Sequence, residues 1–348
     1  MKIQLLVTSI LLFGGIVWAD KAYVGILVKD AVTGSPVQGV SVIARFEDDI
    51  GWRIWSEEPN PDIVSGVTDQ EGFCRLSGKT NCGRGGIRVE TDPVGYYMPQ
   101  RGGHIDYSSK SLLGVWQPEN VVFTMALQRV EHPIPLYVRD VSINEQQTGI
   151  IGFDGTNLVL KYDFVMGDWL PPHGDGKYAD MIISSKYKVN ECVNTGRGHS
   201  LKFYEFVNSI EFLGKGNGLV ENSFADTNFG IKIRCAPESG YAEKKILNIG
   251  QRRKTGVQGI WPEIYTESDK SRCYSFRIRS RLDENGNLIS ANYGKIYGDF
   301  NFSGRDDIGL YAVEFLYYLN PTSLDRNLEW NRKTNLCPNP GYIIILQP

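Results

Sequence analysis

Carboxylates are the first groups in this chain that can do chemistry. Two carboxyl groups flanking a glycosidic bond can act as acid and base or as acid and nucleophile. Asp163, Asp168, Asp175, Asp180, Asp306 and Asp307 are available for such a pair. Carboxylates also cover ordinary protein surfaces, and spacing alone does not place two across a cleft. The stretch Asp168-Trp169-Leu170-Pro171-Pro172-His173-Gly174-Asp175-Gly176 is richer. A loop stiffened by two prolines that presents an indole, an imidazole and carboxylates suits sugar stacking or metal binding. Trp169, His173 and Asp175 are therefore candidate binding residues. The plainer reading is an interstrand loop with a buried Trp169. Trp52 and Trp55, in Gly51-Trp52-Arg53-Ile54-Trp55, are a second candidate platform for a sugar or a protein partner. Glu47, Asp48, Asp49, Glu57 and Glu58 flank them, and capping of a sheet edge is the alternative.

The usual catalytic signatures do not occur. The chain has no G-x-S-x-G elbow, no H-E-x-x-H, no Walker loop and no dinucleotide fingerprint. His104, His132, His173 and His199 share no short spacing, so no metal site is expected. Gly214-Lys215-Gly216-Asn217-Gly218 lacks a following helix and reads as a loop, not a phosphate cradle. Asp283-Glu284-Asn285-Gly286-Asn287 starts like a calcium loop but lacks the closing glutamate. Asn-Gly between apolar runs predicts a hairpin there. No catalytic residue and no cofactor are assigned.

Six cysteines, Cys74, Cys82, Cys192, Cys235, Cys273 and Cys337, stand behind an apolar leader, which predicts disulfides. If each domain closes on itself, Cys74 pairs with Cys82. Three options are left for the others, of which Cys192–Cys235 and Cys273–Cys337 are preferred. Residues 1–19 read as a secretory signal peptide: Lys2 is the positive start, and Val17-Trp18-Ala19 the cleavage site. The apolar run is shorter than the roughly 20 residues that span a bilayer, so no integral span is expected after cleavage. Residues 20–131 carry 11 basic and 15 acidic side chains, and residues 132–348 carry 25 of each. Neither balance suits nucleic-acid binding. The one basic cluster, Arg252-Arg253-Lys254, reads as a solvated loop.

The elements that must position these residues read as strands. Residues 23–28 are β-branched, aliphatic or aromatic apart from Gly25. Val40, Val42, Ala44 and Phe46 alternate with polar positions. Gly34, Pro36 and Asp69-Gln70-Glu71-Gly72 punctuate the runs. Gly25, Asp30, Thr33-Gly34, Pro36-Val37, Gly39-Val40, Val42, Thr68-Asp69, Gly72-Phe73 and Gly95-Tyr96 together resemble the carboxypeptidase regulatory-like domain, a small transthyretin-like or immunoglobulin-like sandwich. That resemblance covers about a third of the chain and implies a scaffold without catalytic residues. The acidic loop 47–65 and the glycine-rich segment 82–86 depart from the family pattern.

Two prolines in Val130-Glu131-His132-Pro133-Ile134-Pro135 mark a stiff connector at 131–135 between a domain at 20–130 and a larger one at 136–348. Strands are expected there at 136–143, 157–165, 181–189, 201–213, 229–235, 273–281, 292–302, 311–319 and 342–346. In 276–281, Phe276, Ile278 and Ser280 alternate with Arg277, Arg279 and Arg281, which predicts a basic outer face. The segments 167–174 and 318–329 resemble secreted proteins of uncharacterised function from environmental bacteria, a likeness that implies no activity. The fold class is all-β: the small sandwich, then a larger β-sandwich or jelly roll. The function expected is a secreted, periplasmic or cell-surface protein that binds carbohydrate or an extracellular protein, or assembles, without catalysis. A hydrolase using a carboxylate pair, and a structural subunit of an extracellular appendage or envelope layer, are the alternatives. An open edge strand that accepts another chain would favour the subunit.

Overall fold

The structure is a computed structural model that describes residues 21–46, 62–80, 86–91, 93–97, 103–106, 109–110, 116–141, 151–152, 157–196, 199–222, 233–269, 272–305 and 310–338. The expected signal peptide, Trp52, Trp55, Cys82, Asp306, Asp307 and the strand expected at 342–346 lie outside these residues. Every regular element among the described residues is a strand, so the chain is all-β. No helix among them is long and apolar enough to cross a membrane. The chain divides into two compact units, Met1–Arg129 and Val130–Pro348.

The first unit runs β1 (Lys21–Asp30), β2 (Ser41–Phe46), β3 (Asp62–Val67), β4 (Phe73–Lys79) and β5 (Gly86–Thr91). It continues with β6 (Gly103–Asp106), β7 (Ser109–Lys110), β8 (Trp116–Gln117) and β9 (Val121–Leu127). One sheet has the order β4-β1-β9, with β9 parallel to β1; a second has the order β3-β2-β5-β6. Ala22, Val24, Ile26 and Val28 of β1 share a core with Val42, Ala44 and Phe46 of β2 and with Ile87 and Val89 of β5. The period of two set that face. The Phe46 ring lies so close to Gly78 that a Cβ there would meet it at 2.2 Å.

Short polar side chains close the turns. Asp30 accepts the N–H groups of Val32 and Thr33, each at 2.9 Å. Thr68 Oγ1 donates to Val37 O and accepts from Val40 N–H. Asp69 accepts from Glu71 and Phe73, and Gly72 turns at φ 70° with no room for a Cβ beside Val28 O. Cys74 sits in this core, and burial, reinforced by Asp69, pushes its thiol pKa up.

The second unit begins with β10 (Ile134–Val141), β11 (Ile151–Gly152), β12 (Asn157–Asp163), β13 (Asp168–Trp169) and β14 (Met181–Gly196). Then come β15 (His199–Phe212), β16 (Gly218–Asn222), β17 (Lys244–Arg253) and β18 (Pro262–Thr266). The last are β19 (Cys273–Leu282), β20 (Leu288–Arg305), β21 (Leu310–Leu319) and β22 (Trp330–Asn335). Ile134 and Pro135, expected in the connector, thus belong to β10. One sheet has the order β16-β19-β20-β21-β10-β22, with β11 on β21; the other is β13-β12-β14-β15-β17-β18. They form a sandwich whose core combines Tyr162, Phe164, Ile183, Ile210 and Leu247 of one layer with Phe276, Ile278, Phe315 and Tyr317 of the other. Of the strand expected at 229–235, residues 229–232 lie outside the described residues, and Cys235 forms an isolated bridge to Asn327. The hairpin at Asp283 is present: its carboxylate accepts the N–H groups of Asn285 and Asn287 and the Asn287 side-chain amide. Those oxygens are engaged by their own turn.

The basic outer face expected for β19 does not exist as such. A register shift follows Ile278, and Arg279 takes φ 54°. That backbone swing sends the guanidinium to the opposite sheet, where it meets Asp163 at 2.9 Å and Asp180 at 3.0 and 3.1 Å. Both carboxylates are buried. Asp163 also accepts from the N–H groups of Val165, Met166, Lys177 and Tyr178, and Asp180 from Phe164. Burial raises the Asp180 pKa even though Arg279 opposes it.

The preferred disulfides of this unit are not formed: no sulfur–sulfur bond joins Cys192 to Cys235 or Cys273 to Cys337. Cys192 lies on the exposed far half of β14, whereas Cys273 and Cys337 are buried in other parts of the unit. The wide sequence separations gave no distance information. The pairing of Cys74 with Cys82 falls outside the described residues.

Two outcomes are expected. Arg279→Met leaves two buried carboxylates without their cation and should destabilise the second unit by about 3 kcal/mol, read by chemical denaturation; an unchanged midpoint would refute the clasp. The Thr33 N–H, with smaller help from Val32, holds the Asp30 carboxyl below the usual carboxylate range. A lowered folded pKa gives stability that is present at neutral pH and lost as pH falls through that pKa. Asp30→Ala should therefore cost about 1 kcal/mol at pH 7 and less in acid, measured by denaturation at both pH values.

Candidate interaction surface

Where the structure places the sequence candidates decides most of their chemistry. Trp169 is a core residue, 5% exposed, with its ring 4.8 Å from that of Tyr162. It offers no free face to a sugar, because β13 pairs with β12 and turns the indole inward. Asp168 accepts from the N–H groups of Trp169 and Asp175, and a Cβ at Gly174 would strike its carboxylate. The loop is folded on itself. His173 is half-buried and Asp175 exposed. Asp163 and Asp180 are both held by Arg279. Among the described residues no group of three or more His, Cys, Asp or Glu side chains could hold a metal ion. Trp52 and Trp55 lie outside the described residues.

Some of the exposed apolar side chains lie on or near β17 and β18. Val257, Ile260, Trp261, Ile264 and Ile246 are all exposed, Ile264 at 72% and Trp261 at 58%. Isolated exposed apolar residues are ordinary, whereas several at one sheet edge mark an interaction site. Among the described residues β18 pairs with β17 on one side only, which leaves its other edge open. Glu267 N–H donates to Asn248 O and Lys254 N–H donates to Trp261 O. The antiparallel parity then turns the backbone groups of Trp261, Glu263, Tyr265 and Glu267 toward β17. Those of Ile264 and Thr266 face away from the sheet. Pro262 faces away too, at an edge position where a missing N–H is tolerated.

Three features hold this edge in place. The Tyr265 ring covers Gly250, where a Cβ would meet its hydroxyl at 2.5 Å. Arg252 reaches Glu263 at 3.0 Å and lies over Tyr265. Arg253 pairs with Glu191 and lies over Phe203. The cluster Arg252-Arg253-Lys254 is therefore the end of a strand with ion-paired arginines, not a solvated loop. Beside Thr266 a polar groove is lined by Glu221, Lys245, Ile246, Ser268 and Arg272. Its charges are internally matched: Glu221 pairs with Lys245 at 3.0 Å and with Arg272 at 3.3 Å. Tyr274 donates to Asp299 at 2.8 Å, and burial followed by that carboxylate pushes its pKa up. With both cations neutralised in place, the groove is not an anion site. The sequence signal for this surface was the alternation Pro262-Glu263-Ile264-Tyr265-Thr266, which sequence reasoning passed over.

No family model matches the chain, and no curated protein does. Among solved structures it is similar to a streptococcal ancillary pilin, at 13% identity over 57% of this chain and 55% of that one, TM-score 0.21. This chain thus spans about half of that pilin's length. The shaft pilin SpaA of Lactobacillus rhamnosus GG matches at 9% identity over 57% of this chain and 89% of its own, TM-score 0.21. BcpA, the major pilin subunit of Bacillus cereus, matches at 11% identity over 84% and 95%, TM-score 0.21. At that score the likenesses carry no argument about this chain.

Tyr265→Ala, which removes the ring over Gly250, should loosen β18: faster amide hydrogen exchange at Glu263 and Glu267, with the β14–β15 amides unchanged, is the expected result, and unchanged exchange there would show that the ring does not anchor the strand.

Proposed function

We propose that this chain is a non-catalytic extracellular assembly protein, of the kind that builds an appendage or envelope layer. The first unit acts as a carboxypeptidase regulatory-like scaffold, and the second unit docks other protein chains through the β18 edge. One observation carries the reading. A strand with outward-facing N–H and C=O groups at Ile264 and Thr266 also bears strongly exposed apolar side chains, Ile264 and the adjacent Trp261. Such an edge adds a strand from another chain: main-chain hydrogen bonds supply adhesion and the flanking side chains supply selectivity. The carbohydrate reading loses its grounds among the described residues, since Trp169 is buried and Asp163 and Asp180 are paired. The names of the similar structures describe those proteins, and the reading does not lean on them. The proposed setting is secreted, periplasmic or cell-surface.

Hydrogen exchange on the purified chain tests this. The amides of Ile264 and Thr266 should exchange fast in dilute solution and slow as the chain is concentrated, while Tyr265 stays protected throughout. Fast exchange at Ile264 and Thr266 under all these conditions would sink the assembly role.

A further inference from the structure

We infer that the occupant of the β18 edge is β18 of a second copy, paired antiparallel about a two-fold axis through Ile264. This rests on the assembly reading above and names its partner. The first argument is the backbone. With Ile264 opposite itself, each Ile264 N–H donates to the other copy's Ile264 carbonyl. Thr266 N–H donates to the Pro262 carbonyl across the axis, because residues facing away from β17 fall opposite one another. Pro262 lacks an N–H, so only the Thr266 carbonyl goes without a donor.

Side chains select this register over its neighbours. A slip by two in one direction puts Glu263 directly opposite Glu263. A slip by two in the other puts Glu263 opposite Glu267. Like charges directly opposite destabilise a strand pair. In the register centred on Ile264, Glu263 faces Tyr265 and Glu267 faces Trp261. Ile264 faces Ile264, a β-branched pair on one face of the joined sheet. The ends are also complementary in charge. Glu267 of one copy comes beside Trp261 of the other, whose cross-strand neighbour is Lys254, just past the end of β17, an exposed lysine with no ion pair among the described residues. An isologous pair of this kind closes on itself and joins two six-stranded sheets into one.

The test uses the purified chain in sedimentation velocity across a concentration series. Ile264→Pro removes the outward N–H and no bond to β17, so thermal melting should be nearly unchanged while dimer affinity falls about tenfold or more. A cysteine arm guards against misfolding of that variant. In a background of Cys192→Ser and Cys235→Ser, Ile264→Cys should oxidise to a covalent dimer, because hydrogen-bonded partners sit about 5.5 Å apart, within disulfide reach. Glu263→Cys in the same background should cross-link much more slowly. A wild-type dimer that Ile264→Pro leaves intact, or faster cross-linking at Glu263→Cys, would overturn this pairing; slowed exchange at Ile264 and Thr266 of the wild-type chain on concentration would in either case leave docking through the β18 edge standing. A chain that stays monomeric throughout, with Ile264 and Thr266 exchanging fast, would overturn both.

Discussion

The second unit hangs on one guanidinium. Arg279 leaves its own sheet at a break in the β19–β20 ladder and ends between Asp163 and Asp180 on the facing sheet. Burying two carboxylates is costly, and a forked cation that bonds both at once is among the few groups that offset it. The backbone N–H groups of Val165, Met166, Lys177 and Tyr178 fill the remaining acceptor sites of Asp163. The same carboxylate thus sets the turn after β12 and the return into β14. Tyr162 and Phe164 flank Asp163 and point into the aromatic core, so the clasp also fixes where those rings pack. A hydrophobic replacement could fill the volume but would not dictate that register.

The unit commits Asp163 and Asp180 to structure. Its sheet edges differ in how they are closed. β16 is covered by reciprocal hydrogen bonds between Leu219 and Ala242. β18 has no such device on its outer side among the described residues. Pro262 at its start and Glu263 along it limit which chains can pair there, as edge prolines and charges do in general. What results is a selective edge, open to a strand whose charges fall out of step with its own.

Legibility in the sequence followed the range of the interactions. In the first unit, Asp30, Gly34, Thr68, Asp69 and Gly72 work within a few residues of themselves or on an adjacent turn, and their types announce it. The alternation of Val40, Val42, Ala44 and Phe46 likewise named its buried face, as each is at most 5% exposed. In the second unit the Asn285-Gly286 hairpin was legible for the same reason. Arg279 was not. Its alternation with Ile278 and Ser280 pointed outward, and the bulge that reverses it depends on a carboxylate pair about a hundred residues upstream. β17 and β18 were passed over because glycine, arginine and proline dilute their alternation.

The residue order by itself determined the strand class and the local turns of the first unit, because each rests on periodicity or on a side chain bonding its own neighbourhood. Which carboxylates are buried, that Trp169 is core and not platform, that the expected second-unit disulfides are not made, and which strand ends at an open edge were decided only in three dimensions. Each depends on what the opposite sheet brings within a few ångströms, and a linear pattern carries no such distance.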